Sequence, residues 1–154
     1  MRPLRVYVDT SVVGGCCDHE FAAWSNGLMK DFELGRLQPV ISDLVLEEVH
    51  SAPEEVLEKI ADLRELPVEW VATSPEAETL AREYIHQSIL TPNYFSDALH
   101  IAIATIAKVD VLVSWNFRHI VHYDKIRLFN AVNLQQGYGQ LEIRSPKEVT
   151  YYDL

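Results

Sequence analysis

Five short apolar runs, each separated from the next by a longer stretch with helical character, leave few folds open to this chain. A strand covered by helices on both faces reads as a continuous β-branched run rather than an alternation. Leu4–Val8 (LRVYV) has that character, as do residues 38–41, 68–72 and 111–114, while 126–132 reads as a fifth strand or an extended segment. After the first run, Asp9-Thr10-Ser11 and Val-Val-Gly-Gly suggest a turn leading towards a helix. Residues 18–34 are then expected to be helical, with Phe21, Trp24, Leu28 and Phe32 on one face and Gly35 at the C-terminal stop. Ser42 should cap a helix reaching about residue 50, Ser51-Ala52-Pro53-Glu54 should start one reaching about 66, and Ser74-Pro75-Glu76 one reaching about 88. Residues 98–109 are apolar on most sides and predict a central helix. Strands alternating with crossover helices define an α/β class, here a three-layer α/β/α sandwich with a mainly parallel central sheet of four to five strands. The expected division is a domain over residues 1–136 and a C-terminal extended arm or tail, 137–154, packed on it.

Composition narrows the functions. The 23 Asp and Glu against 13 Lys and Arg give a formal charge of −10, which argues against coating nucleic acid through bulk charge and against a polybasic membrane anchor. No window approaches eighteen uninterrupted apolar residues, and Met1-Arg2-Pro3-Leu4-Arg5 runs straight into a strand with no room for a signal-peptide core, so a soluble cytoplasmic protein is expected. Cys16 and Cys17 are adjacent, a spacing that rarely reaches disulfide geometry, and read as small packed residues of a reducing compartment. No Gly-rich phosphate loop or Ser/His/Asp elbow occurs, and Ser11 stands where a haloacid-type phosphatase would need a second Asp.

The acids are the informative residues. In parallel sheets ligands collect at the carboxyl ends of the strands, where strand order switches, and Asp9 lies at such an end. Asp97 opens the most apolar helix, with His100, Ile101 and Ala104 following at helical spacing. Glu48 falls nearer than Glu47 to the apolar side marked by Leu44, Val45 and Val49. A carboxylate on a core-facing side is costly unless paired, protonated or metal-bound. Three such acids meeting at one edge would repel one another and call for a divalent cation with a preference for oxygen ligands, Mg²⁺ or Mn²⁺. His100 reads as a packed helix residue rather than a ligand, and Tyr94, Trp115 and Phe117 read as core aromatics before base-stacking ones.

Four segments in order, Val6-Tyr7-Val8-Asp9-Thr10-Ser11, Ser42-Asp-Leu-Val-Leu-Glu-Glu48-Val, Asp97-Ala-Leu-His-Ile-Ala102 and Leu112-Val-Ser114-Trp-Asn116-Phe, resemble the motifs of PIN domains, closest to small prokaryotic toxins of the VapC type. The resemblance runs from Leu4 to about Val132. It implies a PIN-like fold and a metal-dependent endoribonuclease using Mg²⁺ or Mn²⁺, with Asp9 as central ligand and Glu48 and Asp97 as the other metal carboxylates. Thr10 or Ser11 would orient Asp9 or a water. It also implies a small antitoxin partner and a homodimer. The fourth motif departs from the family's pattern, because Ser114-Trp115-Asn116 ends in an amide where an acid is usual, with Asp43, Asp124 or His119 as possible compensation. The alternative is therefore a catalytically weak or inactive PIN-like module that binds RNA or protein. Charge divided by position suits an RNA substrate. Residues 1–107 hold 18 acids and 7 bases, whereas 108–147 hold Lys108, Arg118, Lys125, Arg127, Arg144 and Lys147 against three acids. Arg118 and Lys125, beside Asn116, are the candidate phosphate contacts in a local basic strip, with binding expected to weaken as salt rises.

Overall fold

A computed structural model describes residues 2–151 and resolves the alternation into a single five-stranded sheet. The elements run β1 (Leu4–Val8), α1 (Thr10–Gly15), α2 (Ala22–Glu33), β2 (Leu37–Ser42), α3 (Asp43–Val49), α4 (Glu54–Arg64), β3 (Glu69–Val71) and α5 (Pro75–His86). A 3-10 turn, Pro92–Tyr94, leads into α6 (Phe95–Ala107), then β4 (Val111–Val113), α7 (Tyr123–Gln135), β5 (Ile143–Arg144) and α8 (Pro146–Val149). Strand order is β3-β2-β1-β4-β5, and every pairing is parallel. The chain builds outward from β1 to β3, then returns to place β4 on the other side of β1. The switch in strand order therefore falls between β1 and β4.

Alternation along β1 divides the core into two layers. Val6 and Val8, with Ile41, Val111 and Val113, pack against Val12, Leu28, Phe32, Val45 and Ile60. Tyr7, Val40 and Leu112 face the other way, onto Leu80, Tyr84, Ile101, Ala102 and Phe129 of α5, α6 and α7. Eight consecutive positions of α6, Ala98 to Thr105, are buried, which accounts for a segment apolar on nearly every side.

Several local expectations need correction. The fifth strand is not at 126–132, which is the middle of α7. Its buried residues Phe129, Val132 and Asn133, with Ile126 partly buried, follow a helical interval, and Leu128 points outward. The real β5 lies within 137–154, where Leu112 pairs with Ile143 and Val113 with Arg144. Helix α1 begins directly at Thr10 instead of after a turn, because the Asp9 side chain caps it by accepting from the Ser11 N–H. Asp18 uses its carboxylate on the Glu20 N–H and its carbonyl on Ala22, so α2 starts four residues later than expected. Pro53, not Ser51, is the N-cap of α4. Ser42 does stand at the N-cap of α3, but its hydroxyl bonds Tyr7 instead of the helix. Gly35 closes α2 as expected, at a φ of +72° that glycine adopts without strain.

Gly15 is a close-approach position. A Cβ there would lie 2.6 Å from both Ser25 Oγ and Trp115 Nε1. Neither neighbour can swing away, since Trp115 Nε1 donates to Ser25 Oγ, Ser25 donates to the Val12 carbonyl, and the indole is stacked on Phe21. Gly15→Ala is expected to destabilise the fold by about 1–3 kcal/mol, read as a lower urea midpoint with unchanged slope.

Candidate active site

At the switch point, the ends of β1 and β4 and the starts of α1 and α6 converge with the inner side of α3. Asp9 is the first residue after β1, and its N–H still bonds the Val113 carbonyl of β4 at 3.1 Å. Its side chain is buried. One oxygen, Oδ2, accepts from Ser11 Oγ at 2.6 Å, Ser114 Oγ at 2.8 Å and the Ser11 N–H at 3.3 Å. The other, Oδ1, lies 3.5 Å from His100 Nε2. Ser11 Oγ also accepts from the Trp115 N–H, and Ser114 Oγ from the Asn116 N–H, so the two hydroxyls hold Asp9 and the turn after β4 together.

Glu48 reaches in from α3, its side chain 31% exposed. Oε1 accepts from Thr10 Oγ1 at 2.6 Å and is paired with His100 Nε2, while Oε2 accepts from Ser96 Oγ at 3.0 Å. Burial alone would raise the Glu48 carboxyl, but the hydrogen bond and charge of His100, with Thr10 and Ser96, outweigh it and hold it near 2. Behind the pair, His100 Nδ1 is 2.7 Å from the Tyr7 hydroxyl, which is 2.7 Å from Ser42 Oγ. Burial acts against a charged His100, yet Asp9, Glu48 and Asp97 together raise its pKa.

Asp97 sits in the first turn of α6, partly exposed. Burial, then the charges of Asp9 and Glu48, push its carboxyl up to about 6, against the opposing pull of His100 and Asn116. Asn116 presents Nδ2 to Asp97 Oδ2 at 3.3 Å and uses Oδ1 to accept from the His119 N–H at 3.0 Å. The amide thus meets Asp97 as a donor, where an acid would have added a further like charge.

The bases of the expected strip each have their own surroundings. Arg118 is exposed near the site, beside His119, where its charge helps lower the pKa of that imidazole after the larger effect of burial. Lys125 Nζ is tied to the Ile89 carbonyl at 3.1 Å, and the Lys108 carbonyl accepts from Arg5 at the amino ends of the strands. Arg144 pairs with Glu142, and Lys147 lies over the Trp24 ring. Of the possible compensators for Asn116, Asp43 accepts from Thr73 through Oδ1, Asp124 lies in the first turn of α7, and the His119 ring packs against Tyr94 with centroids 3.8 Å apart. Trp115 is buried on Phe21, as expected of a core aromatic, while Phe117 is half exposed.

From the sequence, His100 reads as packing, Ser42 as a helix cap, and neither Tyr7 nor Ser96 as part of a site. The Asp97/His100 interval put both on one helical face, and a phenol inside an apolar strand was the second available signal.

No family model matches the sequence, and a search of curated proteins finds no match. The structure does have relatives. VapBC2 from Rickettsia felis, solved bound to a DNA fragment from their promoter, aligns with a TM-score of 0.55 at 15% identity over 92% of this chain and 98% of the other. VapC20 of Mycobacterium tuberculosis, described as a sarcin-ricin loop cleaving toxin, aligns with a TM-score of 0.57 at 14% identity over 88% and 98%. The PIN-domain endonuclease Utp24 is a looser match, with a TM-score of 0.38 at 16% identity over 74% and 88%. At 14–15% identity the likeness is one of fold: this chain has the α/β fold of these two VapC structures.

Proposed function

We propose that the chain is a divalent-metal-dependent endoribonuclease that hydrolyses RNA phosphodiester bonds, acting as the toxin of a type II toxin–antitoxin pair. The observation that carries this reading is the approach of Asp9, Glu48 and Asp97 from three separate elements to the switch point, where the charges of the first two add to burial in raising the Asp97 carboxyl to about 6.

The donor chemistry fits Mg²⁺ or Mn²⁺. Asp9 Oδ1 and the Asp97 carboxylate are hard oxygen donors in a site with excess negative charge. Among the described residues no group of three or more His, Cys, Asp or Glu is gathered tightly enough to cage an ion. Mg²⁺ is commonly held by one or two carboxylates and keeps several waters, so the proposal needs only two protein ligands. Asp9 and Asp97 would hold the ion, with Glu48 as the third carboxylate of the site. When bound, such an ion supplies Lewis-acid and charge-neutralising chemistry to a phosphodiester. Ser11 and Ser114 fix the orientation of Asp9, Asn116 directs an amide to Asp97, and the exposed Arg118, two residues beyond Asn116, would contact phosphate. Lys125 contributes positive field from its anchored position instead of a direct contact.

The antitoxin partner, the homodimer and the cytoplasmic setting belong to the same proposal, supported by likeness in fold to VapBC2 and by the resemblance of the four motifs. No helix among the described residues is long and apolar enough to cross a membrane. Purified protein given single-stranded or structured RNA with Mg²⁺ or Mn²⁺ is expected to produce internal cuts, to stop in EDTA and to resume when metal is restored. Cleavage that persists in EDTA, or no cleavage with either ion, contradicts the proposal. The neutral Asn116 favours the second reading, a binding module without catalysis, for which RNA would be retained uncut.

A further inference from the structure

The position of His100 divides the three carboxylates unequally. Its Nε2 is hydrogen-bonded to Glu48 Oε1, 3.5 Å from Asp9 Oδ1 and 3.5 Å from Thr10 Oγ1. The ring edge therefore occupies the gap between Asp9 and Glu48. An ion shared by those two acids would have to compete with Nε2 for Glu48 Oε1 and for the side of Asp9 that carries Oδ1. His100 cannot easily withdraw, because it is buried and its Nδ1 is held by Tyr7, whose hydroxyl bonds Ser42. Both oxygens of Glu48 are also engaged, Oε1 by Thr10 and His100 and Oε2 by Ser96. Asp97 differs, having only the 3.3 Å contact from Asn116 at Oδ2, and Asp9 Oδ1 only the 3.5 Å approach of His100, among the hydrogen bonds and ion pairs of the described residues.

We infer that His100 is a positioning residue that substitutes for an ion between Asp9 and Glu48, so that the site takes one divalent cation, on Asp9 and Asp97, and Glu48 acts by holding His100 instead of binding metal. The inference rests on the reading of the site as a divalent-ion site, and it sets the ion number and the ligand set. The imidazole fastens β1 and β2, through Tyr7 and Ser42, to α3, through Glu48, and stands 3.5 Å from Asp9 Oδ1.

Binding of Mn²⁺ to the full-length protein, counted by electron paramagnetic resonance of the free ion, tests this without any cleavage assay. The wild type is expected to bind one Mn²⁺ per chain. Glu48→Gln should leave the affinity within about threefold, since an amide oxygen can still accept from His100, whereas Asp97→Asn should weaken it at least tenfold. His100→Ala, which opens the gap between Asp9 and Glu48, should gain a second ion, a change that loss of a merely structural residue would not produce. Two ions in the wild type, or a tenfold loss of affinity in Glu48→Gln, overturns the inference while leaving the nuclease reading intact. A folded His100→Ala that still binds one ion overturns it as well. If His100→Ala fails to fold, as judged by circular dichroism, the Glu48→Gln and wild-type measurements decide. No Mn²⁺ bound by the wild type overturns the metal-dependent reading itself, and this inference with it.

Discussion

Asp9→Asn is expected to cut RNA roughly 10³-fold more slowly than the wild type while keeping its fold, a loss of the size seen when a preorganised electrostatic group is removed from an active site. The substitution is nearly isosteric. Its single carbonyl oxygen can still accept from Ser11 and Ser114, which now bond Oδ2 at 2.6 and 2.8 Å, so the cap on α1 and the link to β4 survive. The amide hydrogens then face the side where Oδ1 stands 3.5 Å from His100 Nε2. A donor there opposes a donor and offers no charge to a cation. Cleavage rates compared at equal Mn²⁺, with circular dichroism to confirm folding, check the prediction. A variant cutting within tenfold of the wild type would remove Asp9 from the centre of the site.

Asp97→Asn should have effects of opposite sign on activity and on stability. Burial and the charges of Asp9 and Glu48 raise the Asp97 carboxyl to about 6 in the fold, from an ordinary value of 3.8. The native state therefore binds more protons than the unfolded chain across roughly pH 4–6, and stability falls as pH rises through that window. At neutral pH the penalty is fully present. Discounted for the partial exposure of the carboxylate, it is on the order of 1–2 kcal/mol. Without divalent metal, the variant should melt roughly 3–6 °C above the wild type at pH 7.5, and the difference should shrink towards pH 4. Added Mn²⁺ should stabilise the wild type by linkage and the variant far less, reversing the order, while cleavage by the variant is lost. Thermal melts at both pH values, with and without Mn²⁺, measure this. A variant less stable than the wild type in EDTA at pH 7.5 would show that Asp97 is not held at a cost.

What could be read from the sequence follows from how local each signal is. The β1 run ending at Asp9 and the apolar α6 opening at Asp97 are legible because a doubly covered strand and a central helix leave continuous apolar stretches with polar ends. Helix α7 was not, since Ile126, Phe129 and Val132 lie in a short segment whose interspersed Leu128 and Ala131 also suit a strand, and only burial separates the two periods. Strand β5 has two residues, too few to show any period. Within the candidate site, Asp9 and Asp97 stand out in the sequence by their places at element ends, and Glu48 by its place on the apolar side of its helix. The role of His100 was hidden because an imidazole on an apolar helix is equally consistent with plain packing. Its partners explain the choice only once β1 and α6 are packed together, 93 positions separating Tyr7 from His100 in sequence. Asn116 was visible as a departure, but that it points its donor at Asp97 and its acceptor at the His119 N–H depends on the turn after β4.

The most direct test of the central claim, that the switch between β1 and β4 is a divalent-ion site, is a crystal structure of the wild-type protein in Mn²⁺ with anomalous diffraction measured at the manganese edge. An anomalous peak within coordination distance of Asp9 Oδ1 and the Asp97 carboxylate is the predicted result. A map at saturating Mn²⁺ with no peak at the switch point, or with its only peaks elsewhere on the surface, would contradict it.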